Sequence, residues 1–381
     1  MDKVIVVGAG PAGLATAAQL RRANVPAVVL EQADAIASAW RGRYDRLKLN
    51  SPRWYSRLPD GPEFKGATFP SRDELIAYLD AYALRHSIDV RLGVRVERIE
   101  REFDGWRLVT SDGERHAGHV VVAGGYEHRP HVPAWAGRAR FRGELLHAAA
   151  YRSPDSYAGR DVLVVGPGCS GAEIAYDLAE GGARRVRLAV RTPPNIIVRD
   201  PVGAPLATFF HKLPPQIGDA VMRIVRAKKV GDLSEYGLPA PEEGVFSRLK
   251  RLHVAPMIVD AEVLQAIRDR RIEIVGAVEG FDETGVLLAG SERIEPDAVI
   301  AATGYRTGLE AIVGHLGVLD DHGAPRVIRG QAAPGLRFVG YDPRPAQLRY
   351  AGREASRAAK AIGRATHATP PRRLTLSSVQ R

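Results

Sequence analysis

One hydrophobic pattern occurs twice in this chain. At Val4–Val7 four apolar residues run without a polar break; a glycine-rich turn follows, then a helical stretch from Ala12 to Arg22, then a second apolar run, Ala27–Leu30. The order returns in DVLVVGPGCSGAEIAYDLAEGGARRVRLAVR, which spans Asp161 to Arg191. Short unbroken apolar runs bounded by turns predict strands covered on both faces, as in a parallel sheet flanked by helices. Strand, turn, helix and strand make a βαβ unit, so the expected fold class is α/β with two Rossmann-like dinucleotide-binding domains. Between the two units lie a loop-rich stretch from Arg41 to Phe64, a helix in RDELIAYLDAYALRH, and a β-rich segment with turns at Asp104-Gly105 and Asp112-Gly113. That segment ends in HVVVAGGY, an apolar strand running back to the first unit and finishing in small residues.

Past Thr192 the regular pattern gives way to Pro-punctuated, amphipathic sequence until about residue 260. Within it Ile217, Val221, Ile224 and Val225 fall at helical spacing on one stripe, opposite a basic face. The pattern is expected to form a lid or access helix, with a core-packed helix as the alternative, and not a membrane anchor. Short strands resume in RIEIVGAVEGFDETGVLLAGSERIEPDAVIAATGY; GLRFVGY adds another strand and ASRAAKAIGRA a helix.

The chemistry of the first unit resides in its turn. Gly8, Gly10 and Gly13 stand at G-x-G-x-x-G spacing around Pro11 and Ala12, and Glu31 ends the second strand. The first glycine permits the tight turn, the second lets backbone approach a pyrophosphate, and the third lets helix and strand pack closely. The helix N-terminus offers N–H groups and a positive dipole end to that pyrophosphate, and Glu31 can accept the hydroxyls of an adenosine ribose. Gly124, in the small-residue end of HVVVAGGY, is where returning backbone must pass the nucleotide. In the second unit Gly166, Gly168 and Gly171 repeat the spacing around Cys169 and Ser170, but the strand ends in Arg191 and not in an acid. A guanidinium pairs bidentately with a 2′-phosphate that a carboxylate would repel. The first turn is therefore read as an FAD site and the second as an NADPH site; a ligand-free duplication is the weaker alternative. The second unit interrupts the first domain. Residues 1–155 are expected to form the first part of the FAD-binding domain, 156–296 the NADPH-binding domain with a variable insert at 193–260, 297–363 the second part of the FAD-binding domain, and 364–381 a disordered basic tail.

The 381 residues exceed what one compact core accommodates, in line with this division. No window approaches the roughly 20 apolar residues of a membrane span. The opening MDKVIVVGAGPAGLATAAQL is not read as a signal peptide, because its apolar run holds a glycine turn that a cleaved segment would not need. The single Cys169 leaves no internal disulfide or C-x-x-C pair and points to a reducing, cytoplasmic setting. The net charge of +10 is concentrated in residues 212–229 and 364–381. Such segments can attract phosphates, anionic substrates or a membrane surface, although a solvated helix and a frayed end are the plainer reading. No motif supports nucleic-acid binding, and no metal-ligand set or nucleophile motif is present.

Phe141, Gly143, His147 and Tyr151 stand between the two units at F-x-G-x-x-x-H-x-x-x-Y spacing, and Ala302-Thr303-Gly304-Tyr305 follows the second. Two dinucleotide folds with this fingerprint between them resemble the class B flavoprotein monooxygenases, in the flavin-containing monooxygenase branch with its plant YUCCA relatives. The resemblance runs from Val4 to about residue 363. Tyr151 stands where the Baeyer–Villiger branch has a tryptophan. The resemblance implies FAD and NADPH as cofactors, and O₂ with a small molecule as substrates. It further implies a C4a-(hydro)peroxyflavin shielded from water, which oxygenates a nucleophilic nitrogen or sulfur with little help from protein acids or bases. YUCCA-type oxidative decarboxylation of a 2-oxo acid and Baeyer–Villiger oxidation are alternatives within the fold; an NADPH oxidase or reductase is the alternative outside oxygenation. It also implies roles by position. Asn50, in LKLNSP, would lie beside the flavin ring as a catalytic residue and lean toward heteroatom oxygenation. His147 would tie the domains or contact cofactor, Trp40 would correspond to the tryptophan of a glycine-rich segment whose Gly pair is missing here, and the backbone of Val96 would meet the adenine. Ala302, Thr303, Gly304 and Tyr305 would line the second crossing between domains. The plainer readings are a turn residue for Asn50, a core anchor for Trp40 and a packed structural histidine for His147. Substrate identity is not legible, and a homodimer is left open.

Overall fold

The computed structural model describes residues 2–252 and 257–368. Val4, Ile5 and Val6 have no exposed surface, because their strand, Asp2–Val7, lies inside a seven-stranded sheet covered on both faces. It runs parallel to Ala27–Leu30 on one side and Gly113–Val122 on the other. Val90–Arg91 pairs with Ala27–Leu30, and Leu336–Phe338 pairs in parallel with Gly113–Val122. The β-rich segment is an antiparallel meander, Val96–Glu102, Gly105–Thr110 and Gly113–Val122, turning at the two expected Asp-Gly pairs. Helices Pro11–Arg22, Arg72–Arg85 and Gln347–Ala368 bury Leu14, Leu79 and Ile362 in a common core on one face. The other face packs Ile99 and Leu108 against Leu309 and Val313.

The second sheet is wholly parallel, in the order Glu273–Val275, Arg185–Ala189, Asp161–Val165, Ala298–Ala301, Glu144–His147. The last two of these, Ala298–Ala301 and Glu144–His147, fall in stretches that the sequence boundaries give to the FAD-binding domain. Ala298 through Ala301 is fully buried, so its all-apolar run is satisfied only beside Asp161–Val165 with cover on both faces. Helices Cys169–Glu180 and Ala261–Arg268 cover one face, and a three-stranded antiparallel piece, Val278–Phe281, Val286–Leu288 and Glu292–Ile294, covers the other.

The insert holds helices Gly203–Phe210, Pro215–Lys229 and Val245–Leu252. The amphipathic helix forms where expected, but its apolar stripe is not in a core: Ile217 is 48% and Ile224 60% exposed. It buries Gly218 and Asp219 instead. A Cβ on Gly218 would lie 2.5 Å from the Phe246 ring, and the Asp219 carboxylate accepts from the N–H groups of Phe246 and Ser247 at 2.8 and 3.1 Å. The helix is seated by capping its neighbour's unpaired donors, which overturns the core-packed alternative. At the C-terminus the expected helix is longer, Gln347–Ala368, so Arg364 is helical; the rest of the basic tail, 369–381, lies outside the described residues. Among the described residues no helix is long and apolar enough to cross a membrane.

Candidate active site

The three glycines of the first turn answer to different neighbours. Gly8 has φ +101°, and a Cβ there would sit 2.9 Å from the Ala123 carbonyl oxygen. At Gly13 it would lie 1.8 Å from the Gly8 carbonyl oxygen. At Gly10 it would meet no protein atom within 4 Å, so this glycine is kept small for something outside the chain. The helix that follows, Pro11–Arg22, has no side-chain cap and no acid in its first turn, and the same holds for Cys169–Glu180. Arg72–Arg85, an ordinary helix of the same chain, carries a full Ser71/Glu74 capping box. The two helices behind glycine turns thus keep their N–H groups and positive dipole ends for an anion, which fits a pyrophosphate at each. Glu31 is buried beside the first turn, its carboxylate accepting from Ala9 N–H at 2.8 Å, Ala33 N–H at 3.0 Å and Ser38 Oγ at 3.2 Å. The Val94 N–H bonds to the Glu31 carbonyl at 2.9 Å; Val96 opens the next strand two residues on, its side chain buried. Trp40, on the short helix Ser38–Arg41, packs against the first core as an anchor.

The second turn repeats this construction. Gly166 has φ +110° with a Cβ position 2.5 Å from the Ala302 carbonyl oxygen, and that of Gly171 is 1.9 Å from the Gly166 carbonyl oxygen. Ala302 therefore stands to Gly166 as Ala123 stands to Gly8. Both crossings end in small residues, Ala123-Gly124 and Ala302-Thr303-Gly304, because a turn backbone presses on each. Thr303 Oγ1 donates to the His131 carbonyl at 2.5 Å, and the Tyr305 hydroxyl accepts from Arg43 at 2.6 Å. Arg191 is exposed just past the strand Arg185–Ala189, where a phosphate could reach it.

His147 is hydrogen-bonded to backbone on both sides of its ring. Its Nδ1 accepts from the Ala149 N–H at 3.0 Å, so the proton lies on Nε2, which donates to the Gly304 carbonyl at 3.0 Å. Both ring nitrogens are committed, and burial lowers its pKa, keeping it neutral. It ties the end of the strand Glu144–His147 to the backbone at Gly304. The rest of the fingerprint is also structural: Tyr151 is buried and donates to Asp177 at 2.9 Å, and Gly143 leaves room for the Phe141 ring, which a Cβ would approach to 2.4 Å.

Asn50 reaches the start of the second helix, where its Nδ2 donates to Cys169 Sγ at 3.5 Å. Its Oδ1 accepts from Arg199 Nη2 at 2.9 Å. Arg199 also bonds to Glu173 at 3.1 Å and pairs with Asp260, and Glu173 accepts from the Tyr44 hydroxyl at 2.8 Å. Burial, then the Asp260 charge, pushes the Glu173 carboxyl up to about 8. Burial, then Glu173, pushes the Cys169 thiol up to about 12, which removes it as a nucleophile. Tyr44, Glu173, Arg199 and Asp260 were not legible as site residues. Glu173 could have been placed on the buried side of its helix, four residues past Cys169, but no pattern in the insert marks Arg199.

Two glycine turns with uncapped helices, one per large sheet, define a flavoprotein oxidoreductase that takes two dinucleotides. A profile of the pyridine nucleotide-disulphide oxidoreductases matches residues 5–202. The chain is 37% identical to indole-3-pyruvate monooxygenase YUCCA1 of Oryza sativa subsp. japonica, over 80% of this chain and 77% of that one. It is 34% identical to indole-3-pyruvate monooxygenase YUCCA8 of Oryza sativa subsp. indica, over 100% of this chain and 95% of that one. A variant flavin monooxygenase from Stenotrophomonas maltophilia shares the fold at TM-score 0.75 and 25% identity, covering 96% of this chain and 100% of that one. The chain belongs to the class B flavin-containing monooxygenase family, an FAD-dependent enzyme that uses NADPH and O₂.

Proposed function

We propose that the first turn holds FAD, the second holds NADPH, and the substrate is a small 2-oxo acid that undergoes oxidative decarboxylation. Bound FAD supplies hydride acceptance from NADPH and activation of O₂. The overall balance converts the 2-oxo acid, O₂, NADPH and a proton to the acid one carbon shorter, CO₂, water and NADP⁺. The observation that carries oxygenation is the junction at Asn50 and Cys169. It brings the first unit to the start of the second helix, where the Cys169 thiol stays protonated, while His147 is bonded at both nitrogens. Residues here position and exclude water. The 2-oxo acid class is supported by the likeness to the indole-3-pyruvate monooxygenases over most of the chain. Oxygenation of an amine or thioether is the second reading, favoured by Asn50. The test is stoichiometry with purified holoenzyme: NADPH consumed, CO₂ released and H₂O₂ formed, with aromatic 2-oxo acids, amines and thioethers in turn. One CO₂ per NADPH from a 2-oxo acid, undiminished in a parallel run with catalase that removes free H₂O₂ before it can decarboxylate the acid, supports the first reading. NADPH-dependent oxide from an amine or thioether without CO₂ replaces it with the second, and H₂O₂ alone with every compound sinks both.

A further inference from the structure

We propose that Arg199 is a positioning residue that fixes which end of the Asn50 amide faces the nucleotide cleft. The inference rests on the reading of Asn50 as a site residue and adds what orients it. Arg199 comes from the insert, directly after the strand Asn195–Ile196 and its short extension, and its side chain is 11% exposed. A guanidinium carries five N–H donors and no acceptor. The amide atom 2.9 Å from Arg199 Nη2 must therefore be Oδ1; the flipped amide would set N–H against N–H and lose the bond. With Oδ1 held, the NH₂ group has one direction left, toward Cys169 at 3.5 Å and the uncapped start of the helix Cys169–Glu180. The thiol cannot make that choice by itself, since sulfur is a weak acceptor and a weak donor and accommodates either end of an amide.

Arg199 is itself held from behind. Asp260 pairs with Nη1, and Glu173, steadied by Tyr44, accepts from Nη2. The four elements that meet here come from the loop of the first unit, the helix behind the second turn and both ends of the insert. The insert thus reaches the site through one guanidinium, and sequence changes in it can alter how well NADPH oxidation is coupled to oxygenation without touching either glycine turn.

The experiment compares Asn50→Ala, Arg199→Met, Arg199→Lys and the double variant Asn50→Ala/Arg199→Met in FAD-loaded protein. The readouts are the H₂O₂ formed per NADPH consumed and the NADP⁺ dissociation constant from equilibrium titration, with FAD content and melting temperature as controls. Arg199→Met is expected to raise the H₂O₂ share or weaken NADP⁺ about fivefold, the factor one ordinary hydrogen bond is worth. Arg199→Lys, which still donates to Oδ1, should recover part of the loss. The double variant should be no worse than Asn50→Ala. If Arg199→Met fails to fold, Arg199→Lys and Asp260→Asn, which unseats the guanidinium, carry the comparison. Multiplying effects in the double variant, or an unchanged partition and affinity in the Arg199 variants beside a clear Asn50→Ala defect, would overturn the proposal alone. No effect in Asn50→Ala brings down the reading of Asn50, and the proposal with it.

Discussion

At the scale of the residue, one missing Cβ separates folding from binding. Gly13 and Gly8 are required by the protein's own backbone, whereas nothing in the chain lies within 4 Å of a Cβ at Gly10, whose φ of −78° any residue adopts. Gly10→Val should therefore give folded protein that purifies with little flavin, while Gly13→Ala should fail to fold. Absorbance at the flavin band beside circular dichroism distinguishes the two, and a Gly10→Val protein with full flavin would refute the cradle. Arg191 gives a second prediction. Arg191→Ala should weaken NADPH by about 1–3 kcal/mol, the worth of a hydrogen bond to a charged group, and leave NADH nearly unchanged; equal use of both by the unaltered enzyme would count against the arginine. These residues were legible in the sequence because their reasons are local: a turn, a helix start, a strand end. Glu173 and Arg199 were not, because their roles depend on a contact across a separation of 26 residues whose register no periodicity sets.

Elements were legible to the degree that their hydrophobic pattern matched their cover. Ala27–Leu30 is found as expected, and the meander turns at both Asp-Gly pairs. Polar contacts decide the packing of Pro215–Lys229: Asp219 and Gly218 face the neighbouring helix and Ile224 stays 60% exposed, which goes against the core-packed alternative. The consequence is testable. Ile224→Ser should change stability by no more than about 0.5 kcal/mol, the usual range for surface sites. Asp219→Ala, which leaves the N–H groups of Phe246 and Ser247 without their acceptor, should cost about 1–3 kcal/mol. Urea unfolding of both variants checks the contrast, and a larger loss from Ile224→Ser would mean that the stripe is covered after all. Sheet membership was less legible: DAVIA and ELLH read as strands and both pair in the second sheet, but sequence alone does not say which sheet a parallel strand joins.

At the scale of the whole molecule, the ionisable groups buried by this architecture pull its stability in opposite directions with pH. His86, His119, His128, His131, His147 and His211 all have pKa values lowered chiefly by burial. Between such a lowered value and the ordinary 6.5 the unfolded chain binds more protons, so their contribution is present above about pH 6.5 and is lost as pH falls. Glu173 and Glu354 act with the other sign. Their carboxyls are raised from 4.5 to about 8 and about 7, mainly by burial, so the folded state holds the extra proton. Their contribution is full below about pH 4.5 and declines as pH rises through those values. From pH 7 to pH 8 the histidine contribution is nearly complete and Glu354, raised to about 7, finishes ionising, while Glu173, raised to about 8, is the group with most of its folded-state proton still to lose. Compared with the unaltered protein, Glu173→Gln, which keeps an acceptor for Tyr44 but has no proton to lose, should therefore lack a decline in melting temperature that runs from about pH 4.5 to pH 8, including the unit from pH 7 to pH 8. Scanning fluorimetry of both proteins from pH 5 to pH 9 at constant ionic strength measures this. Parallel curves for the two proteins between pH 7 and pH 8 would show that Glu173 is already ionised at neutral pH, with Arg199 and Tyr44 outweighing its burial.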